Sequence, residues 1–187
     1  MTQLNQAFRQ TGVTLMELAI VIAVVGVLAV AAMPSIVDRW QRETVVMLAE
    51  RVASAVSLAR ATAQIQHVQV HLGPEDPARG LASGLRLTTS PPTSTPDRTS
   101  AQEGASLLSI PLPTLPTVNI SSNLRGDTLF YAPVGYSRDA IGGQQSGTLT
   151  ISSGRHIRRV RISPVGRARI CDPDVDRRNC GPTSNDP

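Results

Sequence analysis

Arginine is concentrated near the C-terminal end of this sequence. Between Arg155 and Arg169 there are six arginines and no acidic residue: Arg155, Arg158, Arg159, Arg161, Arg167 and Arg169. The chain has no lysine, so all 18 of its basic residues are arginine, and its net charge is +4. Because a guanidinium group binds a phosphate through a planar pair of donors, this density predicts a polyanionic partner. The alternative is a basic surface that is only solvated.

Two predicted strands, over 157–163 and 167–171, determine where these arginines point. Successive side chains alternate between the faces of a strand, so every second arginine shares a face, and Arg158 lies at the edge of the apolar face. A Pro-Val-Gly turn at 164–166 joins the two strands. One exposed surface is then expected to combine four guanidinium groups, those of Arg159, Arg161, Arg167 and Arg169.

The composition favours duplex DNA as the polyanion. Phosphate contacts provide affinity without sequence information, so such binding would be non-sequence-specific. Single strands are usually bound by stacking their bases on aromatic side chains. The chain has only one Trp, two Tyr and two Phe, so we expect contacts to the duplex backbone.

Other residues do not point to catalysis or to a bound cofactor. His67 and His71 are four residues apart, but in the strand predicted here they would be roughly 13 Å apart. We therefore expect no metal site. The sequence has neither a P-loop nor a nucleophile motif, and we expect neither enzymatic activity nor a cofactor.

The N-terminal region contains an uninterrupted apolar segment. Val13 to Met33 is 21 residues long, and Glu17 is its only charged residue. A helix of that length spans about 30 Å, the thickness of the hydrocarbon core of a membrane. A carboxylate deep in this core costs about 2.5–3.5 kcal/mol. Glu17 therefore either reaches water near the membrane boundary or has a partner.

The rest of the chain reads as one amphipathic helix followed by strands. Apolar residues recur at helical spacing from Val37 to Ala63, which predicts that a helix continues over 35–66. Alternating apolar residues and frequent glycines then predict short antiparallel strands over 67–72, 84–88, 107–110, 118–121, 128–132, 147–152, 157–163 and 167–171. A long loop is predicted over 89–117. The expected fold class is α+β, with the helix packed on a β-rich head.

The start of the chain resembles a known export signal. Gly12-Val13-Thr14-Leu15-Met16-Glu17 and the apolar segment up to Pro34 resemble the class III signal of type IV pilins and pseudopilins, although the family usually has phenylalanine where Val13 stands. The resemblance implies that a prepilin peptidase removes a leader, residues 1–12, after Gly12, and that Val13 is then N-methylated. Residues 13–34 would be the transmembrane and filament-core helix. Glu17 would pair with the N-terminal amine of a neighbouring pilin subunit.

The same resemblance implies a location for the remaining residues, 35–187. They would form a head on the periplasmic side of the bacterial inner membrane, and the protein would enter a pilus or a pseudopilus. Cys171 and Cys180 are the only cysteines. Two free thiols are one possibility. The oxidising environment of an exported domain favours a disulfide, which would close the tail over 171–180 and contribute about 2.5–3 kcal/mol.

Further motifs resemble the GspH/FimT family of minor pilins and pseudopilins. They are A-R-A-T-A-Q-I-Q-H-V-Q-V at the end of the helix, F-Y-A-P-V-G-Y, G-T-L-T-I and S-P-V-G-R-A-R-I-C. In FimT-type proteins a G-R-x-R motif binds DNA during uptake in natural transformation, and here this motif is Gly166–Arg169. The resemblance implies that Arg167 and Arg169 bind DNA, with Arg155, Arg158, Arg159 and Arg161 as auxiliary contacts. GspH-type and FimU-type relatives imply the alternative, a structural subunit that initiates or caps a filament without binding DNA.

Overall fold

A computed structural model describes residues 14–90, 105–112, 115–139 and 141–180. Gly12 and Val13, the two residues of the predicted cleavage site, lie outside the described residues. The chain divides into two units, Met1–Arg39 and Trp40–Pro187. One long helix, α1 (Leu15–Gln66), contributes to both units, and it continues through Pro34.

The first unit is helical from Leu15 onwards. The side-chain oxygen of Thr14 accepts a hydrogen bond from the backbone N–H of Glu17 at 3.2 Å, so Thr14 is the N-cap of α1. Thr and Glu at this spacing match the sequence pattern of a capping box, and an acidic residue is favoured in the first turn by the helix dipole. Beyond this cap, an 18-residue window has a mean hydropathy of 2.7 and none of it is buried. This helix is long and apolar enough to cross a membrane.

In the second unit, α1 buries one face against the strands. The predicted apolar stripe is confirmed from Val45 onwards, whereas Val37 and Trp40 are 48% and 73% exposed. The buried helix residues are Val45, Leu48, Ala49, Val52, Ala55, Val56, Ala59 and Ala63. The helix ends at Gln66 because His67 adopts a left-handed conformation, with φ of 54°. The prediction that His67 begins a strand was therefore wrong.

Among the described residues, nine strands follow the helix. They are β1 (Gln69–Pro74), β2 (Leu85–Ser90), β3 (Ala105–Ile110), β4 (Val118–Ser122), β5 (Leu129–Tyr131), β6 (Ser137–Arg138), β7 (Gly147–Ser153), β8 (His156–Ile162) and β9 (Ala168–Cys171). They form two antiparallel sheets with the orders β3-β2-β1-β5-β6 and β4-β7-β8-β9. This arrangement confirms the α+β prediction. The short strand β6 was not predicted, and β3 begins two residues before the predicted 107–110.

The core lies where both sheets meet the second half of α1. Its residues are mainly aliphatic, as the scarcity of aromatic residues predicts, and Leu87 of one sheet and Ile151 and Val160 of the other are almost fully buried. Tyr131 is also fully buried, and its hydroxyl donates to the carbonyl oxygen of Gly166 at 3.1 Å. The core therefore fixes the turn that precedes the G-R-x-R arginines.

Candidate functional site

The arginine-rich region folds as the antiparallel hairpin β8–β9. Its register pairs Arg159 with Cys171 and Arg161 with Arg169. At the tip, the N–H of Ser163 donates to the carbonyl oxygen of Arg167 at 3.0 Å, and the N–H of Gly166 donates to that of Ser163 at 2.8 Å. The predicted pair of strands and the turn between them are therefore confirmed.

Gly166 is required by the geometry of this turn. Its φ of 79° lies in the left-handed region, which disfavours side chains larger than hydrogen. A Cβ at this position would also collide with the carbonyl oxygen of Gly135 and lie 2.7 Å from the ring of Tyr131. The glycine of G-R-x-R thus sets the position of the arginine that follows it.

Arg167 and Arg169 are both exposed. Among the described residues, neither side chain has a hydrogen-bond or ion-pair partner. Arg169 lies directly opposite Arg161 in the register, and Arg161 is also exposed. Like charges placed opposite each other on neighbouring strands are destabilising. An anion bound between these two arginines would reduce their mutual repulsion.

Three arginines of β8 instead contact the C-terminal segment Asp172–Cys180. Arg158 forms an ion pair with Asp172, with an Nη1–Oδ2 distance of 2.6 Å. Arg159 donates to the carbonyl oxygen of Cys180 at 2.5 Å, and Arg161 donates to that of Asn179. Arg159 is only 6% exposed, so the expectation that it shares the exposed surface was wrong.

The cause of this burial is the disulfide between Cys171 and Cys180, which confirms the predicted bond. Cys171 lies opposite Arg159 in the register, so the disulfide brings Cys180 over the Arg159 side chain. Arg155 lies at the other end of β8, which is seven residues long. At about 3.3 Å per residue, Arg155 is more than about 20 Å from the tip of the hairpin. It is not part of the cluster at the tip.

One further arginine, which the sequence analysis did not single out, lies beside the hairpin tip. Arg60 of α1 donates from Nε to the carbonyl oxygen of Gly135 at 3.1 Å. Together with Arg167 it lines two neighbouring cavities of about 440 and 270 Å³. Burial raises the pKa of Tyr131, and the positive charge of Arg60 partly opposes this rise. The sequence offered one signal for Arg60: it directly follows Ala59, a residue of the predicted buried stripe of the helix.

Comparison with known proteins identifies the family of the chain. The model of the family described as "Type II transport protein GspH" matches residues 48–166. This match covers more than half of the chain. The chain belongs to the GspH family. No curated protein matches it significantly by sequence.

The fold of this GspH-family protein is similar to that of the type IV minor pilin FimU from Pseudomonas aeruginosa PAO1. With one crystal form of FimU the TM-score is 0.55 at 17% identity, over 71% of this chain and 92% of that chain. A second crystal form gives a TM-score of 0.48 at 16% identity, over 67% and 91% of the two chains. The first match shows that the chain has the type IV pilin fold. A pilin fold with an apolar N-terminal helix is typical of a protein that is anchored in a membrane and assembles with other pilin subunits.

The family match does not include the arginines of the hairpin tip. It ends at Gly166, so Arg167 and Arg169 lie just beyond the matched residues. Membership in the GspH family therefore assigns these two arginines no role. Within the described parts of the chain, no group of three or more His, Cys, Asp or Glu residues is arranged to hold a metal ion. His71 instead packs its ring 4.7 Å from that of Phe130. Burial lowers its pKa to about 4.

Proposed function

We propose that this GspH-family protein is a FimT-like minor type IV pilin that binds DNA for uptake in natural transformation. The observation that supports this proposal is the state of Arg167 and Arg169. Both are exposed, and neither has a partner among the described residues, although three other arginines of the hairpin contact the C-terminal segment. An exposed guanidinium next to a like charge is suited to a phosphate.

The proposed duplex interface consists of Arg161, Arg167 and Arg169. Arg161 uses one Nη atom for the carbonyl oxygen of Asn179, and its exposed side chain keeps its charge at the surface. Arg158 and Arg159 would have to release the C-terminal segment before they could contact DNA, so we assign them a structural role. Because all three contacts are to phosphates, binding is expected to be independent of sequence.

Titration of duplex DNA with the full chain in a nonionic detergent tests this proposal. The variant Arg167→Ala/Arg169→Ala is expected to lose most of the affinity. Its matched control is Arg42→Ala/Arg79→Ala, which removes the same charge from two exposed positions outside the hairpin and is expected to bind nearly as well as the wild type. Absence of binding by the wild type, or equal losses in the two variants, would refute the proposal.

We also propose that the N-terminal segment acts in assembly. A prepilin peptidase would cleave after Gly12, Val13 would become N-methylated, and the head would face the periplasm. The negative charge of Glu17 would then pair with the Val13 amine of a neighbouring subunit, since both groups are costly when buried alone.

The capping box makes a sharp test of Glu17 possible. Gln is also compatible with the capping box, so Glu17→Gln removes the charge and preserves the cap, whereas Thr14→Ala removes the cap and preserves the charge. We expect Glu17→Gln to reach the membrane fraction but to be absent from sheared filaments. Thr14→Ala should enter filaments. Normal incorporation of Glu17→Gln would contradict the charge pairing.

The second candidate function is a structural one, in which the protein initiates or caps a pilus or a type II secretion pseudopilus. Two observations favour it: the similarity to the fold of FimU and the fully exposed apolar surface of the first unit, which fits lipid or neighbouring pilin helices. This function would be supported over the first if cells that lack the protein lose their filaments and the wild-type protein does not bind DNA in the titration.

A further inference from the structure

Beside the hairpin tip is a cleft that shares only Arg167 with the proposed duplex interface. Its volume is about 440 Å³, and its lining residues are Arg60, Val134, Gly135, Tyr136, Val165 and Arg167. Sites for small organic molecules typically measure about 300–1,000 Å³, so one nucleotide-sized group fits this volume. The smaller cavity next to it shares Arg60 and Arg167.

Two arginines, Arg60 and Arg167, line this space. Arg60 is fixed by the bond from its Nε atom to Gly135, and within the described part of the chain its two Nη atoms have no hydrogen-bond partner. The Arg167 side chain likewise makes no contact of this kind with described residues. Two guanidinium groups on one cleft are suited to a single phosphate, which accepts hydrogen bonds from both.

The cleft also has an exposed aromatic ring. Tyr136 is one of the two tyrosines of the chain and is 47% exposed, and the neighbouring Val134 and Val165 are 63% and 45% exposed. Composition alone indicated no platform for stacking bases. The fold nevertheless places an accessible ring and two apolar side chains on the cleft that the two arginines line.

Two similar turns form the walls of the cleft and hold its residues in place. Ala132–Gly135 and Ser163–Gly166 both have the sequence x-Pro-Val-Gly, and in each the glycine N–H donates to the carbonyl oxygen of the first residue. The buried Ser137 follows the first turn in sequence and contacts the second, with its hydroxyl 3.0 and 3.1 Å from the carbonyl oxygens of Ser163 and Pro164. Gln64 of α1 donates to the carbonyl oxygen of Val134 at 3.3 Å. A site fixed in this way loses little entropy when it binds a ligand.

We propose that this cleft binds one unstacked nucleotide of single-stranded DNA. Arg60 and Arg167 bind its phosphate, and its base stacks on Tyr136. This inference rests on the proposed DNA binding and extends it, because Arg167 belongs both to the duplex interface and to the cleft. A frayed end or a single strand can supply an unstacked base, whereas an intact duplex offers only its backbone.

The test compares a fluorescent oligothymidylate with a blunt duplex, each titrated with the full chain in detergent at one salt concentration. Tyr136→Ala is expected to weaken single-strand binding by about five-fold to a hundred-fold, the effect of losing one stacked base. Duplex binding should change by less than about two-fold. Tyr136→Phe keeps the ring and should bind both ligands like the wild type. Ile141→Ala removes another exposed apolar side chain and should change neither affinity.

The outcomes separate this inference from the proposed function. The cleft is not a nucleotide site if Tyr136→Ala affects the single strand and the duplex equally, or affects neither, while both still depend on Arg167 and Arg169. If the wild type binds neither ligand, the proposed function itself fails. Thermal melting of each variant shows whether it is folded, and Tyr136→Phe provides a ring-preserving comparison if Tyr136→Ala melts early.

Discussion

The salt dependence of DNA binding is the most direct quantitative test of the proposed duplex interface. Each phosphate that is neutralised on duplex DNA contributes about −0.9 to the slope of log affinity against log salt concentration. Three contacts, from Arg161, Arg167 and Arg169, therefore predict a slope of about −2.7. Replacing Arg167 and Arg169 with alanine should reduce its magnitude by about 1.8.

In terms of affinity, the wild type should lose about 40-fold between about 50 and 200 mM salt. The variant Arg167→Ala/Arg169→Ala should lose only about three- to four-fold over the same range. Fluorescence anisotropy of a labelled duplex at four or more salt concentrations measures both slopes. The control variant Arg42→Ala/Arg79→Ala should keep the wild-type slope, since both positions are exposed and lie outside the hairpin.

The difference between the two slopes is more informative than either value. Any contact made elsewhere on the chain is present in both proteins and cancels in the comparison. A slope that is unchanged in Arg167→Ala/Arg169→Ala, even with a lower affinity, would mean that these arginines do not contact phosphates. The charge argument would then be refuted, although the hairpin could still stabilise the fold.

Three further predictions concern the stability of the head. Gly166→Ala should lower the free energy of unfolding by at least about 1–2 kcal/mol, the cost of a left-handed conformation. In the control Gly143→Ala the added Cβ would lie 3.3 Å from its nearest neighbour, the Asp139 side chain, and denaturant melts should show little loss of stability. Because the pKa of His71 is lowered to about 4 in the folded protein, the unfolded state binds more protons than the folded state below pH 6.5. The free energy of unfolding should therefore fall by on the order of 2–3 kcal/mol from pH 6.5 to 4. Chemical denaturation of His71→Gln should show a flatter pH dependence. Cys171→Ser/Cys180→Ser should cost about 2.5–3 kcal/mol, and addition of reductant should lower the melting temperature of the wild type but not of this variant.

Local periodicity was enough to predict most of the fold. The apolar residues of the predicted stripe recur at helical spacing, and those from Val45 onwards are all buried: Val45, Leu48, Val52, Val56, Ala59 and Ala63. The alternation of Val160 and Ile162 with arginines likewise predicted which face of β8 enters the core. These elements were predictable because the period of the sequence and the burial of the side chains have the same local cause.

Long-range contacts account for what the sequence analysis missed. The bond from Arg60 to Gly135 joins residues 75 positions apart, and no local pattern indicates that Tyr136 lies on the same cleft. His67 ends the helix at the predicted residue, in a conformation that usually favours glycine. The first strand therefore begins two residues later than predicted, at Gln69. The burial of Arg159 could have been predicted from the sequence, because a strand register that pairs it with Cys171 places the disulfide above it.

The contacts of Arg158 and Arg159 explain why the number of arginines overstates the size of the interface. The Asp172 carboxylate and the carbonyl oxygen of Cys180 occupy the positions on these guanidinium groups that phosphate oxygens would need. With Arg161, which donates to Asn179, the C-terminal segment therefore binds three of the six arginines between residues 155 and 169. DNA could recruit Arg158 and Arg159 only by displacing a segment that the disulfide holds in place. A wild-type slope well beyond about −2.7 would consequently indicate contacts from other exposed arginines, such as Arg177 and Arg178 of that segment.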